Sequence, residues 1–446
     1  MTPALYCLFG SFISLLILGC PIAASLGVAA VGTMMLFQLA PMDLLPQLLL
    51  SAVQSFTLLP IPLFILAGGL LAVSRVSREL VLASGRLIGR RRGGLAYVMI
   101  IGSIFLAGIS GSGPADVAVL GSLMQRPMRE KGFPPAFIAA LAAACGGIGI
   151  IVPPSIALII YGVVAQTDIS ALFLAGIIPG AIVGGCLGVG AWFTLRRHDF
   201  NAAALANAGT DLSVADAAVE AADASAGGRF QWVPAAWGAG FPLIILGGIY
   251  SGIFTPTESA AVAVGYALFV GGWVYRDLTW NILSRILTES VRTSAGVMAI
   301  VATASLFSWV ITTQGMAQQV AAGLGGMADH PWVILLLANA VILLAGCFMD
   351  AISVFYVFIP LLMPAVRAAG IDPVHFGIVT TVNLALGQVT PPIGVNLFVA
   401  SGVTGEPLTR VIRAVLPLLI AMLIALLLIA AFPQLSLFIP GLRPGA

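Results

Sequence analysis

Apolar residues run through this chain in long stretches, each closed by a short cluster of Gly, Pro or charged residues. A stretch of about 20 such residues crosses a bilayer as one helix. The pattern predicts spans at 3–19, 21–40, 58–74, 170–195, 233–250, 255–275, 294–312 and 408–431. Two further apolar segments, 135–166 and 372–403, are each broken by a proline pair. The first break reads Gly149-Ile150-Ile151-Val152-Pro153-Pro154 and the second Gly387-Gln388-Val389-Thr390-Pro391-Pro392. Four other apolar pieces form two pairs. Segments 94–109 and 115–124 flank a polar tip, Ser110-Gly111-Ser112-Gly113-Pro114, and segments 332–347 and 352–363 flank a turn near Met349-Asp350. The second member of each pair is short for a full crossing, so two re-entrant hairpins are predicted, over about 94–130 and 332–368. Segment 278–292 reads as an amphipathic helix lying at the membrane surface. The alternation of a membrane β-barrel is absent.

The pieces recur in order. The offset that carries Pro153 onto Pro391 also sets Gly85 on Gly323, Ala107-Gly108 on Ala345-Gly346, Leu123 on Leu361, Arg129 on Arg367, Gly132 on Gly370, Pro135 on Pro373 and Pro179 on Pro417. Single matches of Gly, Ala or Leu mean little in such a chain, but a shared Gly-x-x-x-Pro-Pro with a downstream proline carries weight. The chain reads as a duplication: a first repeat over 1–195, a polar linker over 196–230, and a second repeat over 231–446.

Charge sets the orientation. Arg75, Arg78, Arg86, Arg90, Arg91 and Arg92 precede the first hairpin, and Arg126, Arg129 and Lys131 follow it. The stretch before the second hairpin, 313–331, has no Lys or Arg, and only Arg367 follows. Basic loops stay cytoplasmic. With the N-terminus outside, all of the 19 Lys and Arg residues but Arg367 and Arg443 fall inside. The two hairpins then enter from opposite faces, and the repeats have inverted topology.

Composition agrees. The chain of 446 residues is 60% hydrophobic and 8% charged, with mean hydropathy +1.10. A soluble domain carries about 25% charged residues, so the fold class is an all-α polytopic membrane protein. A net charge of +2 without a basic stripe points away from nucleic acid. Cys7, Cys20, Cys145, Cys186 and Cys347 have no metal-ligand spacing and read as free thiols. No nucleotide-binding loop is present, so no organic cofactor and no enzymatic activity are expected, and transport energy would come from an ion gradient or a partner.

The breaks carry the chemistry. Proline has no N–H, so Pro153 and Pro154 cannot serve the carbonyls of Gly149 and Ile150, and Pro391 and Pro392 cannot serve those of Gly387 and Gln388. In lipid such groups must face protein, water or a ligand, and paired breaks mark the midplane site of a secondary transporter. Uncharged oxygens suit a hard cation such as Na⁺. Ser110 and Ser112 at one tip, and Gly346 and Asp350 at the other, would face the breaks and give two pseudo-symmetric cation sites. The breaks also expose helix N-termini near Ser155 and Ile393, and the second hairpin arms start near Ala115 and Ala351. These partial positive charges suit an anionic substrate, with Ser112, Ser155, Asp116 and Asn396 as candidate contacts; a plain helix-joining amide is an equal reading of Asn396. Asp168 and Glu258 sit where carboxylates cap helices.

At these motifs the chain resembles the large membrane subunit of the TRAP (tripartite ATP-independent periplasmic) transporters. The residues are Ser110-Gly111-Ser112-Gly113-Pro114-Ala115-Asp116, Ile151-Val152-Pro153-Pro154-Ser155-Ile156, Phe254-Thr255-Pro256-Thr257-Glu258, Gly370-Ile371-Asp372-Pro373-Val374-His375-Phe376-Gly377 and Thr390-Pro391-Pro392-Ile393-Gly394-Val395-Asn396-Leu397-Phe398. The resemblance implies an inverted-repeat, elevator-type fold in the bacterial inner membrane. It implies Na⁺-coupled import of an organic acid such as a C4-dicarboxylate or sugar acid, delivered by a periplasmic substrate-binding protein, with a small four-helix membrane subunit as partner. It also implies cation ligands at the backbone oxygens of Gly149, Val152 and Pro154, and of Gly387, Thr390 and Pro392. The alternative is a stand-alone Na⁺/dicarboxylate symporter without a binding protein.

Overall fold

The computed structural model describes residues 2–73, 93–196, 232–325 and 330–442, and all regular structure among them is helical. Four helices open the chain: α1 (Pro3–Ile17), α2 (Ile22–Leu36), α3 (Leu44–Val53) and α4 (Pro60–Val73). The first hairpin is α5 (Gly94–Ser110) and α6 (Gly113–Glu130). The first broken helix is α7 (Pro135–Ile148) and α8 (Ile156–Ala165), followed by α9 (Ile169–Leu195). The second half opens with α10 (Trp232–Tyr250), α11 (Pro256–Phe269), α12 (Trp280–Thr313) and α13 (Met316–Gly325). The second hairpin is α14 (Pro331–Gly346) and α15 (Ala351–Ala368), and the second broken helix is α16 (Pro373–Gly387) and α17 (Val395–Thr404). The long α18 (Leu408–Ala431) and the short α19 (Gln434–Leu437) complete the chain.

The punctuation read from sequence explains these bounds. Proline opens α1, α6, α7, α11, α14 and α16 at N1 or N2, where its missing N–H has no intrahelical partner to lose. Asp168 caps α9 by accepting from the backbone of Ser170 and Ala171. Thr255 and Glu258 form a reciprocal capping box at the start of α11. Both are the structural roles expected of those acids.

The polar tips and proline pairs fall between helices: residues 111–112 between α5 and α6, 347–350 between α14 and α15, Pro153-Pro154 between α7 and α8, and Pro391-Pro392 between α16 and α17. The second arms run 18 residues each, to Glu130 and Ala368, and Pro127, Pro360 and Pro364 are accommodated inside these helices. One expectation is corrected. The surface helix at 278–292 and the span at 294–312 are one helix of 34 residues, α12. No proline interrupts this stretch, so nothing stops the helix between its amphipathic and apolar parts. Helices α3 and α13 were not predicted. Five of the described helices are long and apolar enough to cross a membrane, or six if the bent pair at 44–53 and 56–72 is one span. The linker and the basic cluster from Arg75 to Arg92 lie outside the described residues, apart from Arg196 at the end of α9.

The two halves interlock. Arm α6 packs on α17 of the other half, and α15 packs on α8. Arg129 at the end of α6 donates to the Thr404 carbonyl and pairs with Glu406 at 3.1 Å, while Arg367 at the end of α15 donates to the Ala165 carbonyl at 3.2 Å. Helix α12 touches α2, α3 and α4 on one side and α15 on the other. Gly387 lies against Gly346: a methyl group on Gly387 would sit 2.9 Å from a backbone carbon and 3.2 Å from the carbonyl oxygen of Gly346.

Backbone on both sides leaves no flexible group to yield, so Gly387→Val should lower stability by about 1–3 kcal/mol. Thermal unfolding of the purified protein should show a lower midpoint for this variant. Gly185→Ala, where a methyl group meets nothing within 4 Å, should melt with the parent.

Candidate substrate and cation site

Each hairpin tip meets the break of its own half. At the first tip Gly111 ends α5 in the left-handed region, φ +58. A methyl group there would sit 2.7 Å from the Pro154 carbonyl oxygen and 3.4 Å from the Ile156 nitrogen. Only glycine lets the tip backbone come this close in this conformation. At the second tip the Gly394 N–H donates to the Cys347 carbonyl at 3.3 Å, beside the Gly346–Gly387 contact.

The structure repairs part of what the prolines remove. The Ser155 hydroxyl donates to the Ile150 carbonyl at 2.6 Å and accepts from the Leu158 N–H at 3.4 Å. Ser155 is buried, so both functions of this candidate substrate contact are used inside the break. The Asn396 N–H serves the Gln388 carbonyl at 3.1 Å, and the Thr390 N–H serves that of Gly387 at 3.0 Å. No donor among the described residues reaches the carbonyls of Gly149, Val152, Pro154, Thr390 or Pro392. A hard cation suits oxygens of this kind, so the residues present fit the ion that the resemblance implies.

The tip side chains divide the work. Ser110 donates to Asp116 Oδ1 at 2.5 Å, holding the carboxylate beneath the tip. Asp116 Oδ2 has no partner and is aimed at Gly149, where it occupies the space of a side chain. Ser112 precedes α6 without capping it, and its half-buried hydroxyl faces a cavity. Asp350 caps α15, accepting from the Ile352 N–H at 3.0 Å and the Ser353 hydroxyl at 2.6 Å. Asn396 is fully buried and donates to the Ala143 carbonyl at 3.3 Å. Thus Ser110, Ser112, Asp116 and the first break assemble at one place, and Gly346, Asp350 and the second break at another.

A cavity of about 450 Å³ joins the two tips. Its wall includes Ser110 to Asp116 of the first tip, Asp350 to Ile352 of the second, and Gln388 of the second break. Gly68 and Gly69 of α4 and Glu289, Ser290 and Thr293 of α12 also line it. The N-termini of α6 and α15 both open onto it, bringing partial positive charge. No Lys or Arg is among the described residues of the wall. The Gln388 side chain and the α12 residues were not among the sequence candidates; the cue for that side chain is its repeat counterpart, the apolar Ile150.

Gly111→Ala should displace the first tip, because the left-handed backbone alone costs a non-glycine residue about 1–2 kcal/mol and the methyl group meets the Pro154 oxygen. A cysteine placed at Ser112 should react faster with a soluble thiol reagent in this background than in the parent.

Residues 9–435 match the family described as the tripartite ATP-independent periplasmic transporter, DctM component. The C4-dicarboxylate TRAP transporter large permease protein DctM of Pseudomonas aeruginosa is 37% identical, with 94% of each chain covered. The sialic acid TRAP transporter large permease protein SiaM of Vibrio cholerae is 37% identical over 98% of both chains. The isethionate TRAP transporter permease protein DctMQ of Oleidesulfovibrio alaskensis is 38% identical over 97% of this chain, which spans 66% of that longer protein. In fold, the chain is similar to the YdaH transporter of Alcanivorax borkumensis, with TM-score 0.61 at 18% identity over 98% of this chain and 99% of that one. Hairpins, breaks, cavity and full-length similarity agree: the chain belongs to the DctM-component family of TRAP transporters, a family of polytopic membrane permeases.

Proposed function

We propose that this chain is the large permease subunit of a Na⁺-coupled importer of an organic acid in the bacterial inner membrane. The observation that carries the reading is the convergence of both hairpin tips on one cavity that α4 and α12 also line. Na⁺ is held at the first break by the carbonyls of Gly149, Val152 and Pro154 with Ser110 and Ser112. A second ion is held by those of Gly387, Thr390 and Pro392 with Gly346 and Asp350. The acid lies in the cavity against Ser112 and the N-termini of α6 and α15. With no basic side chain among the described residues of the wall, dipoles, hydroxyls and bound cations balance its charge.

The mobile part is the interlocked set of hairpins and broken helices, and the fixed part includes α2, α4, α11 and α12. Gly68 of α4 supports this division: a methyl group on it would sit 3.0 Å from the Ile109 carbonyl oxygen and 3.3 Å from the Ser110 Cα. The first tip therefore rests backbone to backbone on the fixed part, and sliding across this contact in an elevator motion carries the cavity between the two faces. The acids named for the relatives, C4-dicarboxylate, sialic acid and isethionate, support an organic-acid cargo. A periplasmic binding protein delivers it, and a small four-helix membrane subunit pairs with this chain. The stand-alone symporter is separated by one measurement: uptake into vesicles without a binding protein would favour it.

Replacing Pro153 or Pro391 by Ala returns an N–H to the break and lets it compete with the ion for a carbonyl. In reconstituted vesicles each variant should need more Na⁺ for half-maximal uptake. Na⁺ activation identical to the parent in both would remove the basis for placing ions at the breaks.

A further inference from the structure

The cavity wall is unbalanced in charge. Three carboxylates line it, Asp116, Glu289 and Asp350, and no described Lys or Arg joins them. Two of the three belong to the mobile part and are tied there: Asp116 accepts from Ser110, and Asp350 accepts from the start of its own helix. Both stand beside the breaks where the ions are placed. Glu289 is different. It projects from α12, which belongs to the fixed part, and it is exposed. Arg285 and Arg292 stand four residues before it and three after, the spacing at which opposite charges on a helix meet. Neither forms an ion pair with it, and neither lines the cavity. They border a neighbouring hollow with Ser284 and Thr288, which shares only Glu289 with the cavity among the described residues.

The acid also stands at one end of the fixed part. The α12 residues in the wall lie between Ile286 and Val297, in the first half of that helix, and the α4 residues lie between Ile65 and Ala72, in its second half. The first half of α12 carries Arg285 and Arg292, and α4 leads in sequence to the basic cluster from Arg75 to Arg92. Basic ends stay cytoplasmic, so the cavity stands at the cytoplasmic end of the fixed part. The other ends, residues 60–64 of α4 and 298–313 of α12, carry no charged side chain. A cavity carried to the outer face slides along those neutral ends and leaves Glu289 behind.

Like charges repel more strongly beside low-dielectric protein walls than in open water. We infer that Glu289 is a release residue: it repels the organic acid when the cavity stands at the cytoplasmic face, and it is out of range when the cavity faces the periplasm. This inference rests on the elevator reading and deepens it. The bound cations offset Asp116 and Asp350 because they travel with them, and nothing that travels offsets Glu289. A charge met in one state alone lowers affinity in that state alone. The acid is therefore held tightly on the outside and loosely on the inside. Arg285 and Arg292, outside the cavity, favour an anion that has already left it.

The test needs no knowledge of the cargo. Ser112→Cys places a thiol in the cavity of the full-length chain. Two methanethiosulfonate reagents of similar size, one bearing a sulfonate and one a trimethylammonium group, sample the charge around it. Neither crosses a bilayer, so vesicles of known orientation expose one face at a time. Rates are read from the mass of the peptide that carries the new thiol, which keeps the five native cysteines out of the measurement. From the cytoplasmic face, adding Glu289→Gln should raise the ratio of the sulfonate rate to the trimethylammonium rate about three- to tenfold, and high salt should shrink the gain. Glu289→Asp should keep the parental ratio. From the periplasmic face Glu289→Gln should leave the ratio unchanged. A constant ratio from the cytoplasmic face, even with both rates altered together, would overturn the release role, and so would an equal gain from both faces. A Ser112→Cys thiol closed to both reagents from both faces would instead overturn the transport-cavity reading beneath it.

Discussion

A backbone carbonyl in a low-dielectric interior must have a partner, and the two double-proline breaks withdraw that partner twice. Much of the central architecture answers this demand. The Ser155 hydroxyl takes the Ile150 carbonyl, and the Asn396 and Thr390 amides take those of Gln388 and Gly387. The hairpin tips arrive at the same oxygens with glycine, so that backbone can lie against backbone. In the Na⁺-coupled reading proposed above, a cation supplies to the carbonyls still unserved what the chain does not. Ion binding in this reading completes the hydrogen-bond accounting of the fold.

Much of this was legible in the sequence because it is written locally. A proline pair ends a helix wherever it occurs, and a polar tip between apolar runs turns the chain back. The arms α6 and α15 begin at Gly113 and Ala351, in register with the proline offset. Asp168 and Glu258 also sit as their neighbours dictate, since a cap is decided within one turn. What stayed hidden depends on distant parts meeting. Glu289 and Ser290 lie in a stretch that reads as an amphipathic surface helix, with Thr293 just beyond it, and only the tertiary fold brings them to the cavity. Gln388 drew notice for its carbonyl, while its side chain matters because Gly113 of the other half leaves room for it.

Asp350 and Asp116 show how similar residues at similar tips acquire different work. Asp350 sits just before its helix and spends its oxygens on the Ile352 and Ser353 amides and the Ser353 hydroxyl. Asp116 sits inside the first turn of α6, where its side chain points away from its own amides, and only Ser110 reaches it. A shift of a few positions along the helix leaves Asp116 with one oxygen that no donor among the described residues reaches, while both oxygens of Asp350 serve the start of its own helix as well as facing the cavity.

The same device also ends in different surroundings, and the cause is visible in the helix that follows each break. In the first half α9 brings Gly176 and Gly180 to the break: a methyl group on Gly176 would sit 2.5 Å from the Ile151 carbonyl oxygen, and Gly180 lies against Val152. Under the proline offset these positions become Ala414 and Leu418 in α18, which cannot approach as closely. The first break is accordingly sealed, with Pro153, Pro154 and Ser155 buried, while Pro392 and Ile393 of the second stand exposed. Two chemically equivalent breaks thereby differ in access. In the Na⁺-coupled reading proposed above, the exposed break exchanges its ion while the sealed one holds, and a transporter that loads and releases in order needs such a difference.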